Sequence, residues 1–131
     1  MVFDAFILAS EAWIATLEDR HEESMAKIRQ ALVRAEDPLS AAVAPHMRSA
    51  YLTIAAMAMA RVDGGRPAAD GARCMGAAEA MLPPGHVPTG MERDARERAA
   101  ERLREVLGTE AYDAACAEGG RLSAEEAVAL V

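Results

Sequence analysis

The chain has 131 residues, enough for one domain with a core of its own and too few for two. Its residues are 52% hydrophobic but only 4% aromatic, with alanine dominant and no long alternating β-branched run, so closely packed helices are expected and a sheet is not. A net charge of −7, from 21 acidic and 14 basic side chains, speaks against gripping a phosphate backbone or an anionic membrane surface, so neither direct nucleic-acid contact nor membrane binding is expected.

The first helix is predicted over residues 2–17, where Phe3, Phe6, Ile7, Trp13, Ile14 and Leu17 recur at helical spacing as one apolar face. Ser10 falls on that face and fits there if its hydroxyl bonds to a carbonyl one turn earlier. Asp4 and Glu11 interrupt the apolar stretch and no basic segment precedes it, so it reads as neither a signal peptide nor a membrane span, and a cytoplasmic location is expected. After the polar break Glu18-Asp19-Arg20-His21, a second helix over about 22–35 turns Met25, Ile28, Ala31, Leu32 and Ala35 inward, and Asp37-Pro38 ends the hairpin.

A third helix is predicted from Pro45 to Val62, apolar nearly all round between Tyr51 and Ala60 and therefore central. Asp63-Gly64-Gly65 is its turn, and Pro67 opens a fourth helix running to about Met81. There Ala72, Met75, Gly76, Ala78 and Ala80 are small or flexible enough to admit a neighbour closely. Residues 82–90 are too rich in proline for a helix and form a loop. The fifth helix, about 91–107, has a narrow apolar side of Ala95, Ala99, Leu103, Val106 and Leu107, with Glu92–Arg96 and Asp94–Arg98 as charge pairs on its outer face.

Gly108 closes that helix and Thr109 is placed to cap the next, which ends at Gly119-Gly120. Ser123-Ala124-Glu125-Glu126 is a capping box for the last helix. The tail is expected to fold back over the last hairpin as a structural cap, with Tyr112, Cys116, Leu122 and Val128 supplying contacts and Ser123 and Glu126 fixing the final turn.

Chemistry-bearing patterns are weak. There is no GxxxxGK[ST] sequence, and Gly64-Gly65 lacks the lysine and hydroxyl that would hold phosphate and metal, so no cofactor is expected. His21, His46 and His86 fall in a turn, at a helix start and in a loop without an i,i+4 partner, so no metal site is expected. Cys74 and Cys116 belong to no CxxC and read as free, small hydrophobes, and no nucleophile–base spacing suggests catalysis. Arg93, Arg96, Arg98, Arg102 and Arg104 interleave with acidic residues and read as a solvated face.

The hairpins 2–35 and 45–81 share an order: apolar helix, polar or glycine-containing turn, second helix with a small residue at its packing position. That is the logic of tetratricopeptide-type repeats of about 34 residues. Ser24, Met25 and Ala31 take the expected small, bulky and small positions, while the signature Trp and Tyr of such a repeat's first helix are missing from their places.

The second hairpin and the tail resemble the C-terminal region of bacterial ATP-binding regulators of the LuxR and AfsR types and their predicted-ATPase relatives. Those proteins commonly end in a run similar to ARLLGAAEAL, a proline-containing loop, a charged helix with LR..LG, and AEGR.LS.EEA.A. The matching residues are Ala72, Arg73, Met75, Gly76-Ala77-Ala78-Glu79-Ala80, Leu103-Arg104, Leu107-Gly108, Ala117-Glu118-Gly119, Leu122-Ser123 and Glu125-Glu126-Ala127, within residues 45–131. The turn Gly64-Gly65-Arg66-Pro67 is one residue longer than the usual form, and Cys116 stands where the family more often has Trp.

The resemblance implies a single all-α domain over residues 1–131: antiparallel hairpins in a right-handed tetratricopeptide-like array, with residues 91–131 closing it. It implies a non-enzymatic interaction or sensory module of a transcriptional regulator, whose nucleotide- and DNA-binding parts lie outside this chain. A small-molecule-binding domain with a pocket between helices three, four and five is the alternative, and a purely structural oligomerisation module a third reading. Because no repeat precedes helix one, part of its wide apolar face, represented by Val2, Phe3, Phe6, Ile7 and Trp13, is expected to meet a protein partner or a second copy in a homodimer.

Overall fold

The computed structural model describes residues 2–39 and 46–131, with side chains from Asp4 onward. Seven α-helices occur among the described residues and no strand: α1 Val2–Leu17, α2 His21–Arg34, α3 Met47–Met59, α4 Ala68–Ala80, α5 Gly90–Leu107, α6 Thr109–Gly119 and α7 Ala124–Leu130, with a 3-10 turn at Val62–Gly65. The protein is all-α. The expected helix start at Pro45, and the side chains of Val2 and Phe3, lie outside the described residues.

The first hairpin is built on alanine. Ala5, Ala9 and Ala12, at i, i+4 and i+7, are buried on one stripe of α1, while Phe6, Ile7, Ile14 and Leu17 are about half exposed. The large side chains of the expected apolar face thus lie outward, and the stripe that packs on α2 is the alanine one. Both sets have helical period, and the alanine set lets α1 approach α2 closely enough for backbone and small side chains to gain dispersion contacts. Across the interface α2 supplies Met25, Ile28, Ala31 and Leu32, all buried. Two hydroxyls are buried there without loss: Thr16 Oγ1 donates to the Ala12 carbonyl (2.9 Å) and Ser24 Oγ donates to the same oxygen (2.9 Å). On the outer face, Ser10 Oγ donates to the Phe6 carbonyl at 2.9 Å, the back-bond anticipated for it.

Helix α3 is central and touches α1, α2, α4 and α5. Leu52 and Ala55 through Ala60 are fully or almost fully buried, as its all-round apolar sequence requires. Ser49 Oγ ties it to α4 by donating to the Ala78 carbonyl at 2.7 Å. Helix α5 covers α3 and α4 with a stripe narrower than expected, of which Ala99 and Leu103 are buried whereas Val106 is 45% exposed.

The tail sits on α4 through two glycines. A Cβ added at Gly76 would lie 2.0 Å from the Cys116 carbonyl oxygen, and one at Gly119 would lie 1.9 Å from that of Arg73. The backbones of α4 and α6 are therefore in direct contact, a distance only glycine permits. Arg73 pins the crossing from outside, with Nη1 2.7 Å from Asp70 Oδ1 and Nε 2.9 Å from Glu118 Oε2. Helix α7 follows with Ala127 buried, its carbonyl 3.8 Å from the Cys74 thiol, and Arg29 Nε donates to the Val131 carbonyl at 2.8 Å. Ser123 and Glu126 form the anticipated reciprocal capping box. Thr109 does not cap α6: Gly108, with φ 85° and ψ 155° in a region only glycine adopts readily, is the cap, and Thr109 is already helical.

Two turns meet α5 at the other end of the hairpins. The α1–α2 turn places Asp19 at φ 61°, and the 3-10 turn places Asp63 at φ 52°. His21 opens α2 with Nδ1 buried and without a hydrogen-bond partner. Burial, with smaller contributions from Arg102 and Arg61, pulls its pKa below the ordinary 6.5, against the opposing pull of the Asp19 carboxylate 3.6 Å away.

Folding thus favours neutral His21, so its contribution is present above pH 6.5 and is lost as the pH falls toward the folded-state value. The drop in Tm between pH 7.5 and pH 5 should be smaller in His21→Gln than in the natural protein; an equal drop would show that His21 is not the group responsible. At the glycine crossing, Gly76→Ala or Gly119→Ala should cost about 3 kcal/mol by forced backbone separation, on the order of 10 °C in Tm. Gly120→Ala, whose Cβ meets nothing closer than 3.6 Å, should melt normally.

Candidate ligand-binding cleft

Helices α1 and α5 both lie against α3, and the space between them is a cleft of about 370 Å³. Burying alanine against α2 is what turns the larger side chains of α1 toward it. Phe6, Trp13 and Ile14 form one wall, Met47, Ala50 and Ile54 of α3 the floor, and Met91 and Ala95 of α5 the opposite wall. Leu82 and Thr89, at the two ends of the proline-rich loop, complete the lining. A mostly apolar cleft of a few hundred Å³ with a few polar groups has the character of a small-molecule site.

Most polar groups facing it are already engaged. Ser49 bonds α4, Thr53 Oγ1 donates to the Ser49 carbonyl at 3.1 Å, and Thr89 Oγ1 caps α5 by accepting from the Glu92 N–H at 3.1 Å. The expected Glu92–Arg96 pair is not formed. Glu92 instead turns to the loop, where His86 Nε2 lies 2.8 Å from its Oε2, with both side chains largely sheltered. The rings of His86 and His46 stand 6.1 Å apart, so the loop is held against the start of α3 as well as α5. Arg96 is left half-buried on the cleft with no ion pair or hydrogen bond among the described residues.

On the other side of α5 lies a wider, charged groove of about 660 Å³, lined by Glu79, Glu97, Glu101, Arg104, Tyr112 and Cys116, and by Arg96 again. The Arg104 guanidinium stacks 4.6 Å from the centre of the Tyr112 ring. Burial raises the pKa of Tyr112 and of Cys116, and pushes the more deeply buried Cys74 thiol up to about 12, so Cys74 stays a thiol and packs as a small hydrophobe.

The residues expected at a surface or in the cap are thereby divided. Phe6 and Trp13 line the cleft; Ile7 is 52% exposed and does not. Tyr112 is buried and, with Cys116, borders the charged groove, while Leu122 and Val128 are half-buried in the tail. From sequence Arg96 reads as a solvated partner of Glu92 and His86 as a lone loop histidine; the His86–Glu92 pairing and the place of Arg96 on the cleft were missed. Their only sequence cue is that a histidine in the preceding loop competes for a carboxylate in the first turn of α5. The cleft lies between α1, α3 and α5, not between the third, fourth and fifth helices.

No family model, curated protein or solved structure matches the chain.

The His86–Glu92 contact should hold the loop. In His86→Ala, amide hydrogen exchange over residues 82–92 should quicken roughly tenfold, as for loss of a charge-assisted hydrogen bond. Exchange in α2 should not change.

Proposed function

We propose that this chain is a non-enzymatic sensory module that binds a small apolar molecule in the cleft between α1, α3 and α5. The observation that carries the reading is the cleft itself: about 370 Å³, mostly apolar, with the two ends of a loop in its lining and that loop tied to α5 by His86 and Glu92. Further support comes from the order of the helices. Two helical hairpins followed by a closing tail agree with the tetratricopeptide-like array, and with the cytoplasmic transcriptional regulators of the LuxR and AfsR types, that the sequence resembles. In such a setting ligand binding between α1 and α5 changes their spacing on α3, and the change is passed to domains elsewhere in the regulator. Among the described residues no helix is long and apolar enough to cross a membrane.

Trp13 is the single tryptophan and lines the cleft, so it reports occupancy directly. Titration with a neutral apolar fluorophore small enough for the cleft, 1-naphthylamine, should quench Trp13 emission with an affinity in the micromolar range, about −8 kcal/mol. Ala95→Phe should abolish the response by filling the cleft. An unaltered titration in that variant would place the binding elsewhere.

A second reading, a homodimer or a protein partner on the N-terminal helix, is favoured by the exposure of Phe6, Ile7, Ile14 and Leu17. Sedimentation at tens of micromolar, roughly the range in which transient interfaces are populated, should then show a dimer that Ile7→Asp dissociates. A monomer at that concentration would remove the dimer reading.

A further inference from the structure

The charge left over at the cleft names the ligand. Of the two charged side chains that line it, Glu92 is hydrogen-bonded to His86, whereas Arg96 makes no ion pair or hydrogen bond among the described residues, although it also borders the charged groove lined by Glu79, Glu97 and Glu101. The two stand one helical turn apart on α5, the spacing at which a glutamate and an arginine ordinarily pair. Here the loop histidine has taken the carboxylate and left the guanidinium half-buried beside an apolar cleft. Of the other arginines without an ion pair among the described residues, Arg29, Arg93, Arg104 and Arg121 are exposed, where water solvates them, and Arg102, half-buried, does not line the cleft.

A guanidinium's preferred partner is a carboxylate, which it meets through two parallel hydrogen bonds. The rest of the cleft asks for hydrocarbon: Phe6, Trp13, Ile14, Met47 and Ile54 offer apolar surface, and the Ser49 and Thr53 hydroxyls already donate to carbonyls. At roughly 30 Å³ per non-hydrogen atom, taking the volume share of a water molecule, the cleft holds about a dozen such atoms. Resting on the cleft as the binding site, we infer that its ligand is an amphiphilic carboxylate of medium chain length, with its hydrocarbon against α1 and α3 and its head group on Arg96.

The test compares decanoate, 1-decanol and decylamine, which share a ten-carbon chain and differ in head-group charge, each titrated below its micellar range at pH 7.5 and read by Trp13 emission. Decanoate should bind roughly tenfold tighter than decanol, the discrimination expected for a partly exposed charge-assisted contact, and decylamine more weakly than either. Arg96→Met should bring decanoate and decanol to equal affinity, Arg96→Lys should retain part of the preference, and Arg93→Gln should retain all of it. Circular dichroism confirms that each variant is folded, and if Arg96→Met is not, the natural protein's ligand order and Arg96→Lys decide. Decanol binding as tightly as decanoate, a preference for decylamine, or a preference that survives Arg96→Met would overturn the carboxylate inference and leave the cleft reading standing. Silence from all three amphiphiles would remove both.

Discussion

The contact on which the rest of the molecule depends is the one between the backbones of α4 and α6 at Gly76 and Gly119. With no side chain between them, the carbonyls of Arg73 and Cys116 come within reach of the opposite helix's Cα. That depth of approach sets how far the tail can fold back, and so where Ala127 and Cys74 meet. It also braces α4 at a different point from Gly71, where an added Cβ would meet Met59 of α3 and Leu103 of α5. The floor of the cleft is a helix packed on α4 and tied to it by the Ser49 hydroxyl, so the glycine crossing bears on the floor through α4.

The cleft is a by-product of how α1 chooses its face. A helix carrying phenylalanine, isoleucine and tryptophan would gain about 25 cal/mol per Å² by burying them. Ala5, Ala9 and Ala12 win the interface with α2 nonetheless, because closeness over a whole hairpin involves many more atom pairs than a few large side chains would. The large residues are then directed outward, and α3 and α5 provide only a partial cover. What remains uncovered is concave and apolar, with charge confined to α5.

These features were unequally legible in the sequence. Punctuation read well: Gly108, Gly119-Gly120 and the Ser123–Glu126 box carry local chemistry that works without tertiary partners, and the helix ends fall within a few residues of their expected places. The alanine seam of α1 did not, because it and the stripe of large side chains share one period and periodicity cannot say which of the two packs on α2. Glu92–Arg96 failed for another reason: an i,i+4 pair is worth a few tenths of a kcal/mol, and a sheltered histidine arriving from the loop outbids it. A cleft between α1, α3 and α5 is a gap between segments far apart in the chain, so no local pattern announces it.

The alanine interface of the first hairpin has a consequence for how the protein accommodates change. Alanine has no side-chain torsion to freeze, so ordering Ala5, Ala9, Ala12 and Ala15 costs no rotamer entropy on folding. There is also almost nothing to remove at these positions: truncation, the usual injury to a core, has little left to delete. Sensitivity runs the other way, toward added volume. Sequence drift along this seam is therefore confined to the smallest side chains, while the outward stripe of the same helix is free to vary its size and shape, and with it the shape of whatever the cleft admits.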